Sequence, residues 1–162
     1  MSATPKTMTR VDLYTDGACL GNPGGPGGWA AILRYNDTTR ELSGGFLDTT
    51  NNRMEILAVL EGIESLTRPC QVDVYTDSRY VRDAVEKGWL KSWRRNGWVT
   101  ASKTPVKNQD LWQRLIPLLE RHKVTLHWVA GHSGHEENER CDRLAKAAAQ
   151  RRDLQPDPGW NG

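Results

Sequence analysis

The first regular signal along the chain is alternation. From Val11 to Thr15 apolar and polar residues take turns, and the run stops at Asp16-Gly17, which predicts a strand running into a turn. Trp29 to Tyr35 and Arg40 to Leu47 follow as two more strands joined around Asn36-Asp37, giving an antiparallel meander. The period then changes. Ile56, Val59, Leu60 and Ile63 recur at i, i+3, i+4 and i+7 behind Thr49, Thr50, Asn51 and Asn52, all residues that cap helices, so a core-packed helix with Glu55 in its first turns is expected. Val72 to Tyr75 reads as a short apolar strand ending at Thr76-Asp77-Ser78, with a helical stretch from Tyr80 to Val85 behind it. Asn108-Gln109-Asp110 caps a helix through Leu111, Leu115, Leu118 and Leu119, in which Pro117 is expected to introduce a kink or a weak point. Val124 to Val129 is the last strand, followed by a loop through Gly131 and Gly134 and a helix with Cys141, Leu144, Ala145 and Ala148 on one face.

Three hairpin-linked strands followed by alternating helices and strands imply an α/β fold whose mixed sheet joins an antiparallel half to a parallel half. Ligands in open α/β sheets gather outside the carboxyl ends of the parallel strands, and the turn at Asp77 belongs to that neighbourhood. Whether Asp16 lies beside it does not follow from spacing, because strand order is not visible in one sequence. Residues 1–10 lack periodicity, and the stretch 151–162, with Pro156, Pro158, Gly159 and Gly162, reads as a flexible end. The catalytic unit is expected within 11–150.

Length changes little in this picture: 162 residues suit one domain with a real core. No apolar run approaches the roughly 20 residues of a membrane span, and Met1 to Arg10 is too polar for a signal peptide. Cys19, Cys70 and Cys141 are odd in number and form no C-x-x-C pair, which points to reduced thiols in a cytoplasmic protein. With no heptad repeat, a monomer without membrane association is expected.

Charge matters through its distribution. The net charge is only +2, but from Lys87 to Lys107 the chain carries Lys87, Lys91, Arg94, Arg95, Lys103 and Lys107 with no acidic residue, and with Trp89, Trp93 and Trp98 interleaved. A basic, aromatic protrusion of this kind suits a phosphate backbone.

Four carboxylates, Asp16, Glu55, Asp77 and Asp142, sit at strand ends or on helices behind polar caps. Isolated carboxylates would be costly to bury there, whereas carboxylates converging on one spot can hold hard divalent cations that activate water at a phosphodiester. That chemistry is a metal-dependent nuclease. The glycine-rich stretch from Gly21 to Gly28 offers a competing reading, a phosphate cradle of the kind found in actin-like ATPases, but no G-x-x-x-x-G-K-[ST] pattern is present. Pro23 and Pro26 favour a shaped hairpin loop instead.

Thr15-Asp16-Gly17-Ala18-Cys19, Thr50-Asn51-Asn52-Arg53-Met54-Glu55, Thr76-Asp77-Ser78, Gly131-His132 and Asn138-Glu139-Arg140-Cys141-Asp142 resemble, in order, the motifs of type 1 ribonuclease H. The match runs from about Val11 to Gln150, nearly the whole chain. The resemblance implies a five-stranded mixed sheet flanked by helices and hydrolysis of the RNA strand of an RNA·DNA hybrid, with 5′-phosphate and 3′-hydroxyl products. It makes Asp16, Glu55, Asp77 and Asp142 the ligands of two magnesium ions, for which manganese can substitute, and His132 a mobile loop histidine suited to proton shuttling. His122 and His135 are read as ordinary surface histidines.

Recognition divides between the strands under the same resemblance. Cys19, Asn22, Asn51 and Asn52 match positions that approach the minor groove, where 2′-hydroxyls mark the RNA, although asparagine near a helix start is also an ordinary cap. Trp89, Lys91, Trp93, Arg94 and Arg95 would grip the DNA strand, with Trp98 packing the protrusion onto the domain. Thr50 and Asn108 match positions that help bind a DNA phosphate. Three residues depart from the pattern: Asp48 stands where relatives place a basic side chain, Val99 replaces a lysine, and Arg79 replaces a neutral side chain and could touch the RNA backbone or pair with a carboxylate. The alternative to an enzyme is a hybrid-binding module that has lost its chemistry, and the presence of all four carboxylates weighs against it.

Overall fold

The computed structural model describes residues 8–130 and 136–160. Five strands, β1 (Thr9–Cys19), β2 (Gly27–Tyr35), β3 (Thr38–Phe46), β4 (Cys70–Thr76) and β5 (Lys123–Trp128), form one sheet in the order β3-β2-β1-β4-β5. The β1/β2 and β2/β3 pairs are antiparallel and the β1/β4 and β4/β5 pairs parallel, so the antiparallel and parallel halves meet at β1. Among the described residues five helices accompany the sheet: α1 (Asn51–Glu64), α2 (Arg79–Glu86), α3 (Trp89–Arg95), α4 (Gln109–Arg121) and α5 (Glu136–Ala149).

The apolar periodicities build two cores. On one face α1 packs against β1, β2 and α4, and Leu13, Ile56, Leu60, Ile63, Val72, Val74, Trp112 and Leu115 are buried there. On the other face α5 covers β1 to β3 through Cys141 and Ala145 against Ala18, Ala30 and Ile32. His122 closes the far end of the larger core: its Nδ1 accepts from the Cys70 amide at 3.0 Å, and burial holds its pKa below the ordinary value. His122 is thus a core residue, not the surface histidine expected.

Five further details differ from the sequence reading. β1 does not turn at Asp16-Gly17 but pairs with β2 as far as Cys19. Gly17 is needed for another reason: a Cβ there would lie 2.5 Å from the Glu55 amide nitrogen, so its absence lets α1 cross β1 at close range. Thr50, with Oγ1 accepting from the Arg53 amide at 3.2 Å, is the cap of α1, and Asn51 and Asn52 lie inside the first turn. Asn108 occupies the N-cap position of α4 in the left-handed region (φ 64°) but makes no capping bond with its side chain. α4 runs on through Pro117 to Arg121.

The fifth difference concerns the C-terminal segment, expected to be flexible. Gln155 bridges to Phe46 beside the free edge of β3, its carbonyl accepting from the Leu47 amide at 2.8 Å. Asp157 is buried, and its carboxylate takes Arg53 Nε and Thr49 Oγ1, each at 2.7 Å. Arg53 is itself buried in α1 and reaches Asp110 through two more hydrogen bonds at 2.7 and 2.9 Å. Burial works against the Arg53 charge, but the two carboxylates more than offset it and hold the guanidinium firmly protonated. Composition alone suggested a loose tail; a single buried acid that answers a buried arginine over a hundred residues away holds it down.

Candidate active site

The carboxyl ends of β1 and β4 and the first turns of α1 converge. Asp16 is carried by β1, Asp77 follows the last residue of β4, and Glu55 lies one turn into α1, so parallel pairing of β1 with β4 and the close crossing at Gly17 bring three acids together. One carboxylate oxygen from each lies within 4.8 Å of the others. Asp16 and Glu55 are buried and Asp77 is exposed, which gives the cluster a closed floor and an open rim.

Burial and mutual repulsion both resist ionisation here. Removal from water, then the charge of Asp77, push Asp16 up to about 8, against one opposing bond from the Gly17 amide at 2.9 Å. Glu55 is driven well above the usual carboxylate range, first by burial and then by the charges of Asp16 and Asp77. Glu55 Oε1 is buried with no hydrogen-bond partner among the described residues. An orphaned carboxylate oxygen facing two further carboxylates is the donor set of a hard divalent cation, which would supply the missing charge and the missing bond together.

Asp142, on α5, stands close enough that its charge adds to the upward push on Asp16, but it lies outside the cluster of three. Its Oδ2 instead receives Lys146 Nζ at 3.0 Å, one turn along α5. The i,i+4 spacing of Asp142 and Lys146 was legible in the sequence as a helix pair. His132 lies outside the described residues.

The turn at Asp77 is braced from β5. Trp128 donates its indole N–H to the Asp77 carbonyl at 3.0 Å, and the Arg79 guanidinium sits 4.2 Å above the Trp128 ring. Among the described residues Arg79 forms no ion pair, so of the two roles left open for it, pairing with a carboxylate is not the one adopted. Sequence reasoning missed Trp128 altogether, since a tryptophan closing a strand carries no signal of what its N–H will meet.

The candidate nucleic-acid residues fall in two groups. Asn22 Oδ1 accepts from the Asn51 amide at 3.0 Å and ties the loop after β1 to the start of α1, with Asn52 exposed beside it. Cys19 Sγ approaches the carbonyls of Gly25 and Thr49 at 3.5 Å, and burial raises its pKa, so it is a neutral thiol rather than a nucleophile. Asn108 accepts from Arg53 Nη1 at 3.3 Å and donates to the Tyr80 hydroxyl at 3.2 Å, which accounts for its missing cap bond. The second group is α3, where Lys91, Arg94 and Arg95 are exposed and Trp89 is the most open of the tryptophans there. Trp93 serves the core as well, its ring tilted 6.0 Å from the buried Trp112 and 6.1 Å from Trp89, and Trp98 is half-buried against the same cluster.

Comparison with known proteins agrees with this geometry. The RNase H family model matches residues 8–150. A ribonuclease H of Oleidesulfovibrio alaskensis is 67% identical over 150 residues, 93% of this chain and 97% of that protein. A ribonuclease H of Nitratidesulfovibrio vulgaris is 66% identical over 154 residues, 95% of this chain and 98% of that one. Among solved structures, LC9-RNase H1, a type 1 RNase H with the type 2 active-site motif, superposes with a TM-score of 0.80 at 32% identity, covering 91% of this chain and 74% of that chain. Fold, carboxylate cluster and sequence agree: the chain belongs to the RNase H family.

Proposed function

We propose that this chain hydrolyses the RNA strand of RNA·DNA hybrids at the Asp16, Glu55, Asp77 and Asp142 site, with magnesium ions as cofactor, and leaves 5′-phosphate and 3′-hydroxyl ends. The observation that carries the reading is the buried, partnerless oxygen of Glu55 set against two further carboxylates. Divalent cations bound there would supply Lewis acidity at a phosphate and a water of lowered pKa. Asp16 and Glu55 would hold them from the floor and Asp77 from the rim, with Asp142 turning from Lys146 to join them. His132 would move a proton to or from the leaving oxygen.

Substrate choice lies outside the carboxylates. Asn22, Asn51 and Asn52, with Cys19, would meet the RNA side of the minor groove, and the exposed cations of α3 with Trp89 and Trp93 the DNA strand. Thr50 and Asn108 would take a DNA phosphate. We also take the chain to work as a monomer in the cytoplasm, where Cys19, Cys70 and Cys141, which are free, would stay reduced; no helix among the described residues is long and apolar enough to cross a membrane.

Titration of the chain with magnesium in a calorimeter tests the site without substrate. Saturable binding that disappears in Asp16→Asn is expected. Unchanged binding in Asp16→Asn, or hydrolysis that survives excess chelator, would place the chemistry elsewhere.

A further inference from the structure

The docked C-terminal segment delivers Trp160 to a groove that the catalytic reading leaves partly unexplained. A cavity of about 740 Å³ is lined by Thr50 and Asn108, the candidate phosphate ligands, by Asn22 and Asn51, and by Gly159 and Trp160. The approach of the segment is built. Asp157 anchors it on Arg53, and its Oδ1 accepts from the Gly159 amide at 3.1 Å. A Cβ at residue 159 would fall 2.0 Å from Asp110 Oδ2 and 2.3 Å from Arg53 Nη2, so any larger residue would have to displace this ion pair. The Trp160 amide then donates to the Asp157 carbonyl at 3.2 Å, and the indole lies against Gly24, where a Cβ would be 3.0 Å from its Cη2.

A half-buried indole on the wall of a groove lined mainly by polar side chains has a definite chemical preference. The other named groups offer hydroxyl and amide partners for phosphates and 2′-hydroxyls. The indole offers mainly apolar surface, against which a deoxyribose C2′ methylene packs without loss. A 2′-hydroxyl placed there would give up water and find no partner on the ring face.

We propose that Trp160 is a substrate-contacting and specificity-determining residue: its indole packs on a deoxyribose of the DNA strand beside the phosphate held at Thr50 and Asn108. The inference rests on the reading of this cavity as part of the hybrid groove and adds a third DNA contact, contributed by the C-terminal segment, to the tryptophan-basic helix and the phosphate site. Hybrid specificity would then come partly from rejection of a 2′-hydroxyl on the wrong strand.

The test is steady-state kinetics of the full chain, Trp160→Ala and Trp160→Phe on an RNA·DNA hybrid, combined with a scan in which single deoxyriboses of the DNA strand are replaced by 2′-O-methyl ribose. Trp160→Ala is expected to raise KM about tenfold at unchanged kcat, with Trp160→Phe recovering most of the loss and melting temperatures preserved. The parent chain should show a penalty at one scanned position that Trp160→Ala no longer shows. An unchanged KM would overturn the proposal. So would a raised KM with the positional pattern intact, which would mean that Trp160 only braces the loop at Gly24. A parent chain that cleaves no hybrid would sink the functional reading itself, and this inference with it, whereas cleavage with a flat scan sinks this inference alone.

Discussion

Asp16 and Glu55 sit where the folded chain opposes their ionisation, and this has a measurable cost in the absence of metal. In the fold Asp16 is raised from 3.8 to about 8, so the native state keeps a proton that the unfolded chain releases. Its contribution to stability is therefore fully present below 3.8 and is lost as the pH rises through about 8. Asp16→Asn removes that loss. In chelator at pH 9 the variant should be more stable than the parent by on the order of 1 kcal/mol or more, roughly 2–4 °C in melting temperature, with the gap shrinking towards pH 4. A variant no more stable than the parent at pH 9 would show that burial and repulsion do not act on this group as described. Lys146 is the other residue to watch, because it already pairs with Asp142 beside the cluster. Lys146→Met should tighten magnesium binding in calorimetry, and weaker binding would show that Lys146 supports the site instead of competing for Asp142.

The helix α3 and the C-terminal segment make separate predictions. Replacing Lys91, Arg94 and Arg95 together by alanine should weaken hybrid binding and flatten its dependence on salt by about 2–3 in log–log slope, because each lost phosphate contact removes about 0.9. Arg94 spends part of its charge on Glu120 at 3.3 Å, but both groups are exposed, so this pair should not prevent its use by nucleic acid. An unchanged slope would remove α3 from the interface. Asp157→Ala leaves the buried Arg53 with Asp110 as its remaining acid partner and should cost on the order of 2–3 kcal/mol in denaturant unfolding. Loss of only a few tenths would mean that the segment is loosely held. These two elements also show what the sequence could and could not convey. The strands, the helices and the four acids were legible because hydrophobic period and turn chemistry are local signals, and the motifs fixed their order. The anchoring of Asp157 was not, since a Pro- and Gly-rich stretch looks mobile until its distant partner, Arg53, is found inside α1. The end of β1 was misplaced for a related reason: Gly17 marks a close helix crossing, and in sequence such a glycine is indistinguishable from one in a turn.

At the scale of the whole molecule, one topological fact organises the function. Because β1 belongs to both halves of the sheet, antiparallel to β2 and parallel to β4, Asp16 is delivered to the carboxyl end of the parallel half, where Asp77 lies and α1 crosses with Glu55. The residues assigned to substrate recognition, in the loop after β1, at the start of α1, on α3 and at Trp160, are not members of that cluster. Cleavage and recognition should therefore be separable by mutation. The most direct measurement is incubation of an RNA·DNA hybrid, labelled on each strand in turn, with the parent chain and with Asp16→Asn, in magnesium and in chelator. The parent in magnesium should cut the RNA strand internally, leave 5′-phosphate ends and spare the DNA, while Asp16→Asn binds the hybrid without cutting it. Hybrid binding by the parent with no cleavage in magnesium, or cleavage of the DNA strand, would contradict the account.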